Sequence, residues 1–261
     1  MFSIDPRGGH NRYKFKTDFF EKWSSKMAYV LGFLYADGDI EDVRKSSRTQ
    51  YITFGSVDKD ILEAIKMAMG SEHKLNYRAP RKVTYANGKT YESREMYRLR
   101  IGSKKMFEDL LGLGLTPRKS LTIEFPKDIP VNYLSHFVRG YFDGDGCVTI
   151  KMGKGKFGQP ILKGLNVIFT SGSGLFLEGL RKRVHKTINF CDRKIYDYRK
   201  NSRSYQLKYP TFESIKWFKF LYGNNSSNLF LGRKFNVFKK YFQLRPNRVD
   251  EKAKNILSRY K

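Results

Sequence analysis

Two stretches of the chain repeat one pattern of apolar and small residues. Residues 30–38 read VLGFLYADG and residues 138–146 read VRGYFDGDG. Each is mostly apolar and ends in an aspartate followed by glycine. Small residues stand four positions apart in each copy: Gly32 and Ala36, and Gly140 and Gly144. Residues four apart lie on one face of a helix, so the pattern predicts helices at about 25–37 and 132–145.

The small residues indicate that the two helices pack against each other. A glycine inside a helix costs about 1 kcal/mol relative to alanine, so its use in both copies indicates a close approach to that face. Helices running side by side would bring Asp37 and Asp145 together at the surface. Their carboxylates would repel each other and oppose both helix dipoles, and a hard divalent cation such as Mg²⁺ would relieve this conflict. The alternative is a pair of ordinary buried helices with acids at their ends.

The remaining periodicity predicts the same order of elements in two halves. The first half is predicted to contain a strand at 51–56, a helix at 58–70, a hairpin around Asn87-Gly88, a strand at 96–101 and a helix at 104–113. The second is predicted to contain strands at 147–152 and 165–171, a helix at 174–186, a hairpin at 194–209 and a helix at 212–222. The sequence at 97–101 also aligns with that at 205–209.

We therefore predict an α+β fold with two pseudo-symmetric αββαββα halves, each a curved antiparallel sheet with helices on one face. The halves would pack through the paired helices, and the uncovered sheet faces would be polar. The predicted divisions are a basic N-terminal arm (1–23), a first half (24–115), a proline-marked linker (116–131), a second half (132–243) and a basic C-terminal tail (244–261). A last helix is predicted from Asn228.

The net charge indicates the partner. The chain has 51 Lys and Arg against 25 Asp and Glu, a formal charge of +26, which indicates DNA or RNA. It lacks an apolar run of about 18–20 residues and a signal-peptide core, so we expect a soluble intracellular protein, in a prokaryotic cytoplasm or an organelle, with no membrane partner. Two cysteines are too few for a disulfide framework, and no histidine is interpreted as catalytic.

Basic, amide and aromatic residues cluster on the predicted strands, where alternate side chains can reach base edges in a major groove. The candidates of the first half are Lys74, Asn76, Arg78, Arg81, Lys82, Arg94 and Arg98. Those of the second half are Lys151, Lys154, Lys156, Lys163, Arg193, Lys194, Tyr196, Tyr198, Arg199 and Arg203. The two sets differ, which predicts a long, asymmetric target.

The doubled motif resembles the LAGLIDADG homing endonucleases, in the monomeric form that carries two motifs in one chain. In that family the last acid of each motif binds the metal, and these positions are Asp37 and Asp145 here. The first copy departs from the pattern with Tyr35 in place of the earlier acid, whereas the second keeps Asp143. The resemblance implies a Mg²⁺-dependent nuclease that cuts both strands of double-stranded DNA and leaves short 3′ overhangs. Mn²⁺ is expected to substitute, and Ca²⁺ to bind without supporting efficient cleavage.

The resemblance also implies a basic residue near each cut, and the matching strand positions are Arg100 and Lys208. Arginine stays protonated at neutral pH, so a catalytic role of Arg100 would be electrostatic; both residues can equally be phosphate contacts. Two other functions remain open: a group I intron maturase that binds intron RNA on the same fold, and a DNA-binding protein without catalysis. The carrier of the gene can be an intron or an intein.

Overall fold

The chain divides into two compact units. The computed structural model describes residues 13–43, 49–84, 88–198, 200, 204–224 and 226–260. Unit 1 is formed within Met1–Lys22 and Asp37–Arg118, and unit 2 within Trp23–Ala36 and Lys119–Lys261. The sequence division assigned the first motif helix to the first half, whereas nearly all of this helix clusters with the second.

Unit 1 is a four-stranded antiparallel sheet with two helices. Its sheet contains β1 (Gly38–Glu41), β2 (Tyr51–Ser56), β3 (Asn76–Arg78) and β6 (Met96–Gly102), in the order β1-β2-β6-β3. The helices are α2 (Lys59–Ala68) and α3 (Lys104–Gly112). Both helices contact β2, and α2 also contacts β6. Phe54 and Leu99 pair across β2 and β6 and are fully buried. The alternate residues of these strands therefore line the open face.

The predicted Asn-Gly hairpin is present but stands apart from this sheet. β4 (Lys82–Thr84) and β5 (Thr90–Glu92) pair only with each other, with Val83 opposite Tyr91. Gly88 has a φ of +78°, which glycine adopts without steric cost. The strand that extends the main sheet is β3, which the periodicity did not single out.

Unit 2 repeats this topology, and its first two strands are longer than those of unit 1. Its elements are α1 (Ser25–Asp37, of which Asp37 belongs to unit 1), α4 (Val131–Asp145), β7 (Gly146–Lys154), β8 (Pro160–Ser171), α5 (Gly174–Ile188), β9 (Ile195–Asp197), β10 (Tyr205–Tyr209), α6 (Thr211–Gly223), α7 (Gly232–Leu244) and α8 (Glu251–Arg259). The sheet order is β7-β8-β10-β9. The prediction of two αββαββα repeats is confirmed.

The repeat extends to the register of the strands. In unit 1, Gly38 lies opposite Phe54, which lies opposite Leu99. In unit 2, Gly146 lies opposite Phe169, which lies opposite Leu207. Each series starts at the glycine that follows the motif aspartate, so the two sheets are built to the same plan.

Within unit 2, α1 and α4 pack backbone against backbone. A Cβ on Gly32 would lie 1.9 Å from the Phe137 carbonyl oxygen, and a Cβ on Gly140 would lie 2.0 Å from that of Tyr29. Near the helix starts, the ring of Trp23 stacks on that of Tyr133 with centroids 6.1 Å apart. The two helices therefore run in the same direction, and glycine is needed where they touch.

Gly140→Ala is expected to destabilise the protein. The added methyl group would meet a backbone oxygen, so the helices would have to separate; overpacking of this kind costs about 1–3 kcal/mol. Urea unfolding followed by circular dichroism would measure the loss. Gly112→Ala is the matched control, because a Cβ there has no neighbour within 4 Å. Equal stability of Gly140→Ala and the parent would contradict this packing.

The C-terminal region differs from its prediction in two ways. The last predicted helix begins at Gly232 rather than Asn228, because residues 228–231 run along α4. The predicted tail contains α8, in which Asp250 accepts a hydrogen bond from Ala253 and Ala253 and Ile256 are buried. Across the described residues, no helix combines the length and the apolar character needed to cross a membrane.

Candidate active site

Each motif aspartate lies at a junction between a helix and a strand: Asp37 between α1 and β1, and Asp145 between α4 and β7. Asp145 ends α4 and is partly exposed, and Asp37 ends α1 and is exposed. The next residue starts a strand at once. Gly146 is extended, with φ −85° and ψ 160°, and a Cβ there would lie 2.4 Å from the Phe142 oxygen. The glycine is therefore needed for close packing, and each carboxylate stays open to solvent where the strand begins.

A buried lysine caps the end of α4. Lys234 is only 5% exposed. Its Nζ donates to four carbonyl oxygens, those of Phe142, Asp143, Gly144 and Gly146, at 2.6, 2.8, 3.1 and 2.5 Å. Carbonyl groups in the last turn of a helix lack partners within the helix, and a cation is favourable at this negative end of the dipole. Lys234 therefore fixes the backbone on both sides of Asp145.

A second buried lysine reaches the end of α1. Lys119 is 6% exposed, and its Nζ donates to the carbonyl oxygen of Ala36 at 3.0 Å. Ala36 directly precedes Asp37 in the chain. The sequence interpretation missed both lysines as site residues, although each is the second residue of an Arg-Lys pair that follows the last helix of its repeat.

Asp143, the earlier acid of the second motif, has a structural role. Its buried Oδ2 accepts hydrogen bonds from Tyr29 Oη at 2.7 Å and from Leu231 N at 2.8 Å. Burial raises the pKa of the Asp143 carboxyl to about 6, against the opposing effect of the nearby Lys234 charge. This side chain ties α1 and the segment before α7 to α4.

Arg139 of the second motif holds the same segment from inside. It is fully buried and donates to the carbonyl oxygens of Leu229 at 2.9 Å and Leu221 at 2.5 Å, and to Ser227 Oγ at 2.7 Å. Burial lowers the pKa of its guanidinium. The inner face of α4 is thus a polar network whose role is to anchor the C-terminal elements.

Arg100 lies on the open face of the unit 1 sheet. Its guanidinium donates to Glu41 Oε2 at 2.7 Å and stacks 3.7 Å from the centroid of the Tyr51 ring. Arg98, two residues earlier on the same strand, is exposed and lies opposite Asn76 of β3. These contacts hold Arg100 in place on a face that is open to a partner.

Lys208 occupies the equivalent register position in unit 2. Arg100 lies opposite Thr53, which precedes Phe54, and Lys208 lies opposite Ile168, which precedes Phe169. Lys208 Nζ donates to Tyr198 Oη at 2.8 Å and lies 5.4 Å from the centroid of the Tyr196 ring. The two predicted basic residues are therefore structural equivalents, each held by a tyrosine.

A pocket with a volume of about 440 Å³ lies over the open face of the unit 2 sheet. It is lined by Asn166, Ile168, Asp192, Arg193, Lys194, Tyr196, Lys208, Tyr209 and Pro210. Asn166 is a member that the sequence interpretation missed, because β8 reads as an apolar strand in which its amide is an isolated polar group. The basic, amide and aromatic side chains of this pocket can form hydrogen bonds with the edge of a planar polar ring and can bind negatively charged groups.

The other predicted contact residues are distributed over exposed strands and turns. In unit 1 these exposed residues are Lys74, Arg78, Arg81, Lys82 and Arg94. In unit 2 they are Lys151, Lys154, Lys156 and Lys163, on the hairpin of β7 and β8. Arg199 and Arg203 lie outside the described residues. Among the residues that the structure describes, no three His, Cys, Asp or Glu side chains gather into one metal-binding group.

Comparison with known proteins gives a family match and structural matches. Residues 132–222 match the family model of the LAGLIDADG-like domain. The sequence has no match among curated proteins.

Solved structures match the fold across most of the chain. One shows the homing endonuclease I-WcaI bound to its DNA recognition sequence, with 14% identity, a TM-score of 0.51 and coverage of 84% of this chain and 90% of that one. Another shows the LAGLIDADG meganuclease I-AabMI bound to uncleaved DNA, with 13% identity, a TM-score of 0.50 and coverage of 90% and 97%. A mutant of I-SmaMI matches with 13% identity, a TM-score of 0.52 and the same coverage. At these identities the similarity establishes the fold.

Proposed function

We propose that the protein is a site-specific endonuclease that cuts both strands of DNA. The match of residues 132–222 to the LAGLIDADG-like domain supports this proposal, as does the fold, which is that of the LAGLIDADG meganucleases. The observation that carries the proposal is the repeated junction at which Asp37 and Asp145 each end a motif helix with the carboxylate open to solvent. The formal charge of +26 supports a nucleic acid as the partner. The active form is a monomer, because one chain supplies both motifs.

We propose Asp37 and Asp145 as the metal ligands. The donor set fits a hard divalent cation such as Mg²⁺, because each aspartate offers accessible carboxylate oxygens and leaves positions for water and phosphate oxygens. When bound, the metal lowers the pKa of a water nucleophile and neutralises the phosphate. The chain's own contribution is to fix the backbone beside each aspartate, through Lys234 at the end of α4 and Lys119 at the end of α1.

For Arg100 and Lys208 we favour DNA contact over a role in the reaction. Arg100 is shared between Glu41 and Tyr51, and Lys208 contacts Tyr198, so both are held within the open sheet faces. An arginine fixed by a carboxylate presents its remaining N–H groups in a set direction, which suits the two acceptors of a guanine edge. Lysine acts mainly on phosphate.

The open faces and the basic turns supply the proposed DNA contacts. Each unit offers an amide side chain suited to adenine and a basic side chain suited to guanine or phosphate. These are Asn76 and Arg98 in unit 1, and Asn166 and Lys194 in unit 2. Because the two sets differ in composition, the target is expected to be asymmetric. A screen of base preference in variants at these positions would assign each contact.

DNA affinity is expected to fall steeply with salt. Each neutralised phosphate contributes about −0.9 to the slope of log affinity against log salt, so six to ten contacts would lower affinity by about 10³–10⁵ between 50 and 200 mM. Fluorescence anisotropy with a mixed-sequence duplex at several salt concentrations would measure this slope. A flat profile would contradict a binding surface that follows the phosphate backbone.

A plasmid assay tests the proposed activity. The substrate carries the uninterrupted sequence that flanks the intron or intein of the host gene, and the expected result is linear DNA in Mg²⁺ or Mn²⁺ and intact plasmid in Ca²⁺. Binding to intron RNA without linear product would select the group I intron maturase. Binding to DNA without cleavage in any metal would select a non-catalytic DNA-binding protein.

A further inference from the structure

The hairpin of β7 and β8 ends in a tight turn that presents a single aromatic ring. The strands stay paired as far as Lys154 and Pro160, and Gly155 N donates to the Gln159 carbonyl oxygen at 2.8 Å. Gly158 has a φ of +80°, and Phe157 N donates to Gln159 Oε1 at 3.0 Å. The turn, residues 155–159, is therefore fixed by its own hydrogen bonds.

Phe157 is almost completely exposed at this tip. Its exposed fraction is 86%, the highest among the large apolar side chains that the structure describes as exposed. A phenylalanine in water gives up about 1.5–3 kcal/mol of burial energy. Single exposed apolar side chains are common on protein surfaces, but this ring stands on a fixed turn and is therefore held in place for contact with a partner.

The surroundings of the ring select an anionic partner. Lys151, Lys154, Lys156 and Lys163 are all exposed on this hairpin, and Lys156 Nζ lies 6.0 Å from the centroid of the Phe157 ring. Between residues 146 and 177 the chain has no aspartate or glutamate. An apolar ring with cations on both strands below it matches the edge of a nucleic acid, where phosphates lie beside stacked apolar bases.

The position of the tip along β7 sets the distance to the candidate active site. β7 starts directly after Asp145 and has 9 residues, which span about 30 Å at about 3.3 Å per residue. B-DNA rises about 3.4 Å per base pair, so a strand that follows the duplex would bring the tip about nine base pairs from the cut. The tip would thus act at the outer end of one half of the target.

We propose that the turn 155–159 is a DNA wedge, in which Phe157 inserts between two base pairs at the outer end of the target and Lys154 and Lys156 hold the flanking phosphates. This inference rests on the proposed function, since it assumes a DNA partner. Phenylalanine has no hydrogen-bonding group with which to read a base edge. It unstacks a base step instead, as apolar wedges of DNA-bending proteins do. Flexible pyrimidine–purine steps unstack most easily, so the wedge adds sequence preference without a base-specific hydrogen bond.

The test uses the full chain and needs no cleavage. Short duplexes with a randomised segment are selected for binding, and the enriched sequence is prepared with 2-aminopurine at its outer pyrimidine–purine step. The parent and Phe157→Trp are expected to raise the 2-aminopurine fluorescence, and Phe157→Ala is expected to leave it unchanged. Phe157→Ala should also lower affinity about 10-fold without changing the salt slope, whereas Lys156→Ala should make that slope shallower by about 0.9.

The outcomes separate the wedge from the nuclease. A parent that shows the fluorescence change but never cuts DNA overturns the nuclease and leaves the wedge in place. If Phe157→Ala equals the parent in affinity and fluorescence, the wedge is overturned even in an active enzyme. Binding to phosphatidylserine vesicles that depends on Phe157, together with DNA binding that does not, would assign the tip to a lipid surface and also overturn it.

Discussion

Asp145→Asn is expected to abolish cutting of at least one DNA strand and to leave DNA binding largely intact. The substitution keeps the shape of the side chain but removes its negative charge and replaces one carboxylate oxygen, a ligand for hard cations, with an NH₂ group that cannot bind a metal. The expected products from supercoiled plasmid are nicked or uncut DNA instead of linear DNA, and gel shift in Ca²⁺ would report binding. Asp128→Asn, at an exposed residue of the segment before α4, is the matched control.

The same variant also tests the electrostatics of the helix end. A carboxylate at the negative end of a helix dipole costs about 0.3–1 kcal/mol, so Asp145→Asn should keep or slightly raise the melting temperature without metal. Cutting of both strands at the parental rate would remove Asp145 from the metal site. A large drop in melting temperature would instead show that this aspartate supports the fold.

Lys234→Met is expected to lower the free energy of unfolding by about 3–5 kcal/mol. Methionine has a similar length but no donors, so the carbonyl oxygens at the end of α4 and the buried Asp143 carboxylate lose their cation. The end of α4 would fray and release Asp145 from its fixed position. Urea unfolding measures the stability, and the plasmid assay below the unfolding transition measures the activity.

Lys240→Met is the matched control for this prediction, because Lys240 lies on the exposed side of the same helix. It should behave as the parent in both assays. If Lys234→Met is as stable as Lys240→Met, the ammonium group does not hold the helix end. Normal stability with lost cleavage would show that Lys234 acts in the reaction rather than in the fold.

The repeated elements were predictable because their signals are local. Gly32 and Gly140 stand out as glycines inside apolar helical runs, and alternation in residues 51–56 and 165–171 identifies the inner strands. Such patterns depend only on spacing along the chain. The αββαββα order and the helix pair therefore follow from the amino-acid sequence alone.

The features that sequence missed depend on contacts between distant segments. Lys234 stands next to Phe235 in a basic, aromatic helix, and apart from the repeated Arg-Lys pair no sequence signal distinguishes a lysine that caps α4 from one in solvent. Likewise the resemblance implies a basic residue near the cut at the strand position of Arg100, and only the contacts of Arg100 with Glu41 and Tyr51 favour a binding role. Helix α8 was predictable in principle, since Asp250 is a good N-cap three residues before Ala253.

The assignment of residues 23–36 to unit 2 separates the genetic repeat from the folding unit. A gene fragment that begins at residue 119 encodes a complete second repeat but omits the backbone surface that meets Gly140. Recombination between related genes at residue 118 would therefore join α1 of one parent to α4 of another, and these two helices must match at the level of single methyl groups. Helix compatibility, more than the sheets, then limits which repeats evolution or protein engineering can exchange.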